Sequence, residues 1–217
     1  MGLQVKKSIR ALLVGAIMFA MVIGVFPAQQ QQVKAASASD AVINLSTKYQ
    51  EIQGYGGMNH PSWAGDLTAS QRETAFGNST NQLGFSVLRI FIDSDSNNWY
   101  KEVATAKAAI AKGAIVFATP WNPPSNLCET FNHNGDTKRL RHDKYAQYAN
   151  HLNNFVNYMK NNGVNLYAIS MANEPDYGHD WTWWTSSEIV TFLKYYAGSI
   201  NCRLIAPESF SYNKNIM

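Results

Sequence analysis

Glu174 lies in the stretch "AISMANEPDYGHDWTWW", residues 168–184, between an amide, Asn173, and a proline, Pro175. It closes an apolar, strand-like run and is followed by a cluster of aromatic rings. A carboxyl group in such a place can give and take a proton, and the rings offer flat faces on which an uncharged, ring-shaped ligand can stack. Two other apolar runs end in chemistry of their own. "SVLRIFID" carries Arg89, and "AIVFATPWNPP" ends in Trp121 before prolines that direct the chain out into a loop.

Side-chain alternation says where these groups point. In "NLYAISMANE" one strand face holds Tyr167, Ile169 and Met171, and the other holds Ala168, Ser170, Ala172 and Glu174. The bulky face covers helices, so Glu174 points inward at the carboxyl end of its strand. "SVLRIFID" divides the same way, with Leu88, Ile90 and Ile92 toward helices and Val87, Arg89, Phe91 and Asp93 inside. An inward guanidinium loses its hydration unless a carboxylate accepts its protons. Arg89 therefore calls for an acidic partner, either Asp93 or another carboxylate nearby. An acid, an arginine and a tryptophan at the same ends of successive strands read as a site.

The elements that hold them follow a regular rhythm. Apolar runs at "QGYGG", "SVLRIFID", "AIVFATPW", "NLYAISMANEP" and "RLIAPES" alternate with helical segments near 68–82, 98–112, 143–162 and 185–198. About five strands separated by helices imply a parallel sheet of βα units. Ser70 with Glu73 and Thr185 with Glu188 have capping-box spacing, Asp143 is a candidate cap, and Gly113 and Gly163 fall where helices should end. Tyr145, Tyr148, Ala149, Leu152, Phe155, Val156 and Met159 form a core-facing stripe. This pattern fits an open doubly wound sheet or the front of a barrel of eight βα units, which takes ~250 residues. Cys128 follows the third strand and Cys202 precedes the fifth, at opposite ends of the sheet. A strand length of ~17–20 Å exceeds the ~7 Å reach of a disulfide, so two free thiols are expected.

Composition agrees with a neutral ligand. Of 217 residues, 15% are charged and 12% aromatic, including 6 Trp, against roughly 25% charged in ordinary soluble proteins. The net charge of +3 includes Lys6, Lys7 and Arg10, so the body of the protein is nearly neutral and lacks the clustered cations that nucleic acid requires. Those three residues precede "ALLVGAIMFAMVIGVF" and the small-residue site "KAASAS". This is the pattern of a secretory signal peptide cleaved between Ala35 and Ser39, and the apolar run falls short of the ~20 residues that span a bilayer. An extracellular protein with no membrane partner after cleavage is expected. The five His lack ligand spacing and "GYGG" is no phosphate loop, so neither metal nor cofactor is expected; His60 reads as a polar cleft residue.

"GYGGMNHPSWAGDLT", "LRI", "FATPWNPP", "AISMANEPDY", "DWTWWT" and "IAPESF" together resemble glycoside hydrolase family 30, most closely its bacterial glucuronoxylanases, from about Ile52 onward. The resemblance implies a (β/α)8 TIM barrel of the α/β class, incomplete here at about the first five βα units, with a β-sandwich side domain. Its implied division is a signal peptide at 1–38, a side-domain strand at 39–51 containing "AVINLS", and the barrel at 52–217. It further implies retaining hydrolysis of β-1,4-xylan, the polysaccharide partner being glucuronoxylan. By position Glu174 matches the acid/base, Asn173 the amide that bonds the sugar 2-hydroxyl, Trp63 and Trp121 the stacking rings, and Tyr177 a cleft wall.

The family's nucleophile, a Glu ending the seventh strand, would fall beyond Met217, and Glu208 falls on the fifth strand as a structural or cleft residue. Ala172 and Phe91 depart from the family, where Gln and His are usual. Another family 30 specificity, glucosylceramidase-like or β-1,6-glucanase, remains an alternative. So does a noncatalytic carbohydrate-binding protein using Trp63, Trp121 and the "WTWW" rings. The chain alone is expected to fold poorly, to leave Arg89 without its carboxylate, and to turn over little substrate.

Overall fold

A computed structural model describes residues 44–133, 136–177 and 181–212. The expected signal peptide and its cleavage site lie outside the described residues. No helix among those described is long and apolar enough to cross a membrane. The chain divides into two units, one ending at Gln50 and one beginning at Glu51.

In the first unit the expected strand "AVINLS" lies partly outside the described residues, at Ala41 to Ile43, and Leu45 and Ser46 form a turn. The Asn44 side chain accepts from the backbone and hydroxyl of Ser46 at 3.0 and 2.7 Å, a local bond that competes with strand pairing.

The second unit holds a parallel sheet of β1 (Gly56–Met58), β2 (Val87–Ile92), β3 (Ile115–Pro120), β6 (Ala168–Ser170) and β7 (Leu204–Ile205) in that spatial order. Helices follow the strands: α1 (Pro61–Ala64), α2 (Ala69–Phe76), α3 (Val103–Ala111), α4 (Tyr145–Asn161) and α5 (Ser186–Tyr195). The fold is of the (β/α)-barrel type, with five of its strands among the described residues. The close approach of β1 to β2 requires Gly56, because a Cβ there would meet the Val87 carbonyl oxygen at 1.6 Å.

The core lies between sheet and helices. Leu88, Ile90 and Ile92 are buried while Val87, Arg89 and Phe91 are only half-buried, so the inner face of β2 is the more open one, as alternation requires. Every residue of the α4 stripe from Tyr145 to Met159 is buried. The Tyr148 hydroxyl donates to the Met171 carbonyl at 2.7 Å, fixing this helix to the end of β6. Gly113 and Gly163 follow their helices at φ +89° and +79°, the left-handed geometry that ends a helix without a Cβ clash.

Several boundaries differ from expectation. The capping box of α2 is Thr68 with Gln71, not Ser70 with Glu73, and the helix stops at Phe76. Thr68 directly precedes the first helical turn, whereas Glu73 is drawn outward to Lys112 and Gln82. Thr185 with Glu188 does form the box of α5. Asp143 is no cap, because a 3-10 turn over His142–Lys144 comes first and its carboxylate pairs with Arg141. The loop after β3 carries an unanticipated antiparallel pair, β4 (Cys128–His133) with β5 (Asp136–Leu140). Cys128 and Cys202 are both free thiols, as expected.

Glu102, at the end of a 3-10 helix over Ser96–Glu102, is 2% exposed, and its Oε2 has no hydrogen-bond partner. Burial pushes its carboxyl up to about 8, aided by the charges of Asp66 and Asp93 and opposed by a backbone hydrogen bond at Phe91. Between the ordinary value of 4.5 and about 8 the folded chain keeps a proton that the unfolded chain has lost. Stability therefore falls as pH rises through that window and stays reduced above it. Glu102→Gln should flatten this slope in urea unfolding compared at pH 5 and pH 9; an unchanged slope would rule out Glu102 as its source.

Candidate active site

Strand ends and the loops that follow them build the site. Arg89 rises from the inner face of β2. Its Nη2 donates to Asn173 Oδ1 at 2.7 Å and to Glu208 Oε2 at 2.8 Å, and its Nε donates to Thr119 Oγ1 at 3.1 Å. Thr119 in turn donates to Glu208 Oε1 at 3.1 Å. One guanidinium thus ties together β2, β3, the end of β6 and the segment after β7.

The partner is Glu208, not Asp93, and the expected loss of Arg89's carboxylate does not occur. Burial still holds the Glu208 carboxyl above its ordinary value, the opposing pull of Arg89 and the hydrogen bonds notwithstanding. Desolvation therefore outweighs the pairing at this group.

Asn173 is buried, its backbone N–H donates to the Pro120 carbonyl at 2.9 Å, and its Oδ1 is taken by Arg89. That arrangement orients the amide so that Nδ2 remains as a donor. Glu174 follows at φ +44°, and Glu208 sits at φ +53°. Both carboxylates thus occupy left-handed backbone, which costs a non-glycine residue about 1 kcal/mol and recurs where a site over-determines its geometry. Glu174 points into the cleft, not out among the helices: with Arg89, Asn173, Glu208, Phe210 and Tyr212 it lines a cavity of about 400 Å³.

Aromatic rings make up the rest of the wall. Trp181 Nε1 donates to Glu174 Oε2 at 2.8 Å. Trp181 stacks 6.1 Å from Trp63, and Trp121 stands edge-on to both, 5.5 Å from Trp63 and 6.1 Å from Trp181. Trp63 is 64% exposed and Trp121 only 7%. Trp63 therefore presents the broad open face, while Trp121 braces it and carries the Arg89 guanidinium at 4.9 Å.

His60 is sandwiched between Trp63 at 4.0 Å and Phe91 at 4.3 Å, and burial lowers its pKa. A neutral imidazole is the form that such a stack favours. Tyr177 packs 6.2 Å from Trp181 and 4.7 Å from Phe210, so it borders the cleft from the β6 side. Asp176 fastens that side to the segment after β7, accepting from Ser209 Oγ and Phe210 N, each at 2.7 Å. Burial works to raise its pKa, but these bonds win and hold it below the ordinary carboxylate value.

All the residues singled out from sequence, Glu174, Asn173, Trp63, Trp121, Tyr177 and Arg89, converge here. Two members of the site were not assigned their roles: Glu208 as the Arg89 counter-ion, and Trp181 as a donor to Glu174. The "WTWW" rings divide among three duties. Trp181 lines the cleft, Trp183 packs 4.1 Å from His133 on the β4–β5 hairpin, and Trp184 is buried against Tyr145 and Phe192. Among the described residues no cluster of His, Cys, Asp or Glu has the makings of a metal site.

Replacing Arg89 by Met leaves Glu208 buried without its cation. The expected cost is about 2–3 kcal/mol, below the ~3–5 of a fully buried pair because both side chains keep some exposure. Adding Glu208→Gln should restore part of that loss, a coupling readable in a double-mutant cycle of urea unfolding. Strict additivity would mean that the pair does not hold the strand ends together.

No family model matches the sequence. The chain is 65% identical over 216 residues to "Glucuronoxylanase XynC" of Bacillus subtilis, covering 98% of this chain and 50% of that protein. It spans about half the length of the curated relatives it matches. Among solved structures it is similar to a GH30 endoxylanase from Clostridium papyrosolvens, with a TM-score of 0.72, 48% identity, and coverage of 80% of this chain and 46% of that one. It is also similar to Xyn30A, a family 30 subfamily 8 xylanase from Clostridium acetobutylicum, with a TM-score of 0.69, 35% identity and the same coverage.

Proposed function

We propose, for a chain homologous to the glycoside hydrolase family 30 xylanases, that it carries the proton-donor side of a secreted enzyme cleaving the β-1,4 linkages of glucuronoxylan with retention. The observation that carries this reading is Glu174 itself. One of its oxygens is held by the Trp181 indole, and the side chain lines the same cavity as Asn173 and Arg89.

In this reading a xylosyl unit stacks on the exposed face of Trp63, with Tyr177 bounding the cleft. Asn173 Nδ2 donates to the sugar 2-hydroxyl, an interaction that strengthens as charge develops at the anomeric carbon. Glu174 Oε1 delivers a proton to the leaving glycosidic oxygen while a second carboxylate, ~5–5.5 Å away, attacks the anomeric carbon. The ionised Glu174 then takes a proton from water as that water displaces the enzyme carboxylate. The Trp181 N–H steadies the charge that Glu174 acquires between the two steps.

Glu208 does not suit the attacking role, because Arg89 and Thr119 occupy both of its oxygens. We assign attack to a carboxylate outside the described residues. The basic, apolar and small-residue pattern before Ser39 supports export through a signal peptide.

The test joins this chain to the length of the Bacillus subtilis glucuronoxylanase that it does not span, and assays glucuronoxylan, unbranched xylan and β-1,6-glucan. Hydrolysis of glucuronoxylan by the fusion is expected, with negligible turnover by the 217-residue chain alone. Glu174→Gln in the fusion should lower kcat roughly 10²–10⁴-fold, the usual worth of general acid–base catalysis, while leaving xylo-oligosaccharide binding in place. Undiminished turnover in that variant would refute the assignment.

A further inference from the structure

A second polar groove opens on the carboxyl-end side of the sheet, outside the cleft, and shares no lining residue with the cavity around Glu174. It measures about 500 Å³ and runs between the loops after β2 and β3 and one face of α4. From the helix come Gln147, Asn150, His151 and Asn154, whose i, i+3, i+4, i+7 spacing places them in one row. Asn126 faces them from the loop after β3.

The side chains of Asn126, Gln147, Asn150 and Asn154 make no hydrogen bond among the described residues. His151 is stranger. It packs against Trp99 at 5.3 Å and donates through one ring nitrogen to the Asp93 carbonyl, while its Nε2 is buried with no partner. With Nδ1 as the donor, the neutral ring offers Nε2 as an acceptor. That nitrogen is closed off from solvent, so the groove presents its exposed amides to a ligand and the His151 ring lies behind them as a reporter.

We propose that this groove is a secondary saccharide-binding site, taking a glycosyl unit of the polysaccharide whose chain enters the neighbouring cleft. The choice of xylan as that polysaccharide rests on the function proposed above; the class, an uncharged polyol ring, rests on the groove. Each sugar hydroxyl both donates and accepts, as do the facing amides. Pro124 and Leu127 supply an apolar strip for a sugar's C–H face. The one charged group of the lining, Asp95, already accepts from Asn97 N at 3.0 Å, and no cation lines the groove to select an anion.

The experiment titrates the whole 217-residue chain with xylotetraose and, separately, cellotetraose, reading the ¹⁵N shift of His151 Nε2 and the side-chain amides of Asn150 and Asn154 by NMR. These resonances should move with xylotetraose in the unmodified chain and equally in Trp63→Ala, which removes the open ring of the cleft. The exposed pair Asn150→Ala with Asn154→Ala should weaken this response about tenfold or more, as expected from losing two hydrogen bonds, while the Trp181 indole signal still reports cleft binding. If the groove resonances stay fixed with both saccharides while Trp181 responds, the groove holds water only and the proposal fails. If they move with either saccharide while Trp181 does not, the groove stands and the cleft reading falls.

Discussion

A positive charge on the inner face of a parallel strand has to be answered, and the answer organises this molecule. Arg89 is answered by a carboxylate 119 residues further along the chain, in the segment after β7. The same guanidinium fixes the amide of Asn173, whose immediate neighbour is Glu174. Ordering those groups costs side-chain entropy, and burial taxes Glu208 in addition. Strain at Glu174 and Glu208, both in left-handed backbone, adds to the cost. Such an arrangement persists because the packing of Leu88, Ile90, Ile92 and the α4 stripe against the far side of the sheet carries the fold, leaving the inner face free for chemistry.

The aromatic wall divides its labour by exposure. Trp121 and His60 are nearly buried and act as bracing, Trp63 offers its face to the cleft, and Trp181 turns its N–H to the carboxylate. A flat, apolar floor with a few directed polar groups suits a sugar ring, which has a C–H face and a rim of hydroxyls. The low share of charged residues in the chain suits an uncharged ligand of that kind.

Much of this was legible in local pattern and some of it was not. Alternation in "SVLRIFID" and the helical stripe from Tyr145 to Met159 gave the inner and outer faces directly, because burial on one side of a strand or helix leaves a fixed period. The Arg89–Glu208 contact left no such trace. A pair that far apart in sequence is set by sheet order, and only the need for some carboxylate showed. The β4–β5 hairpin did leave a signal, Asn134-Gly135 between two polar-alternating runs, which the strong βα rhythm around it obscured. The α2 cap slipped by two residues because two hydroxyls, Thr68 and Ser70, stand within one turn and the spacing rule does not choose between them. "WTWW" shows the limit of composition: three tryptophans within four adjacent positions put their rings into a cleft, a hairpin and a core.

The central claim is that the strand ends tied together by Arg89 present Glu174 to a sugar lying on Trp63. A crystal structure of the chain soaked with xylotetraose tests it most directly. The account requires a xylosyl ring on the open face of Trp63 with a glycosidic oxygen within hydrogen-bond reach of Glu174 and a sugar hydroxyl on Asn173. A saccharide seated on other rings, with the carboxyl of Glu174 facing away from every glycosidic oxygen, would contradict it.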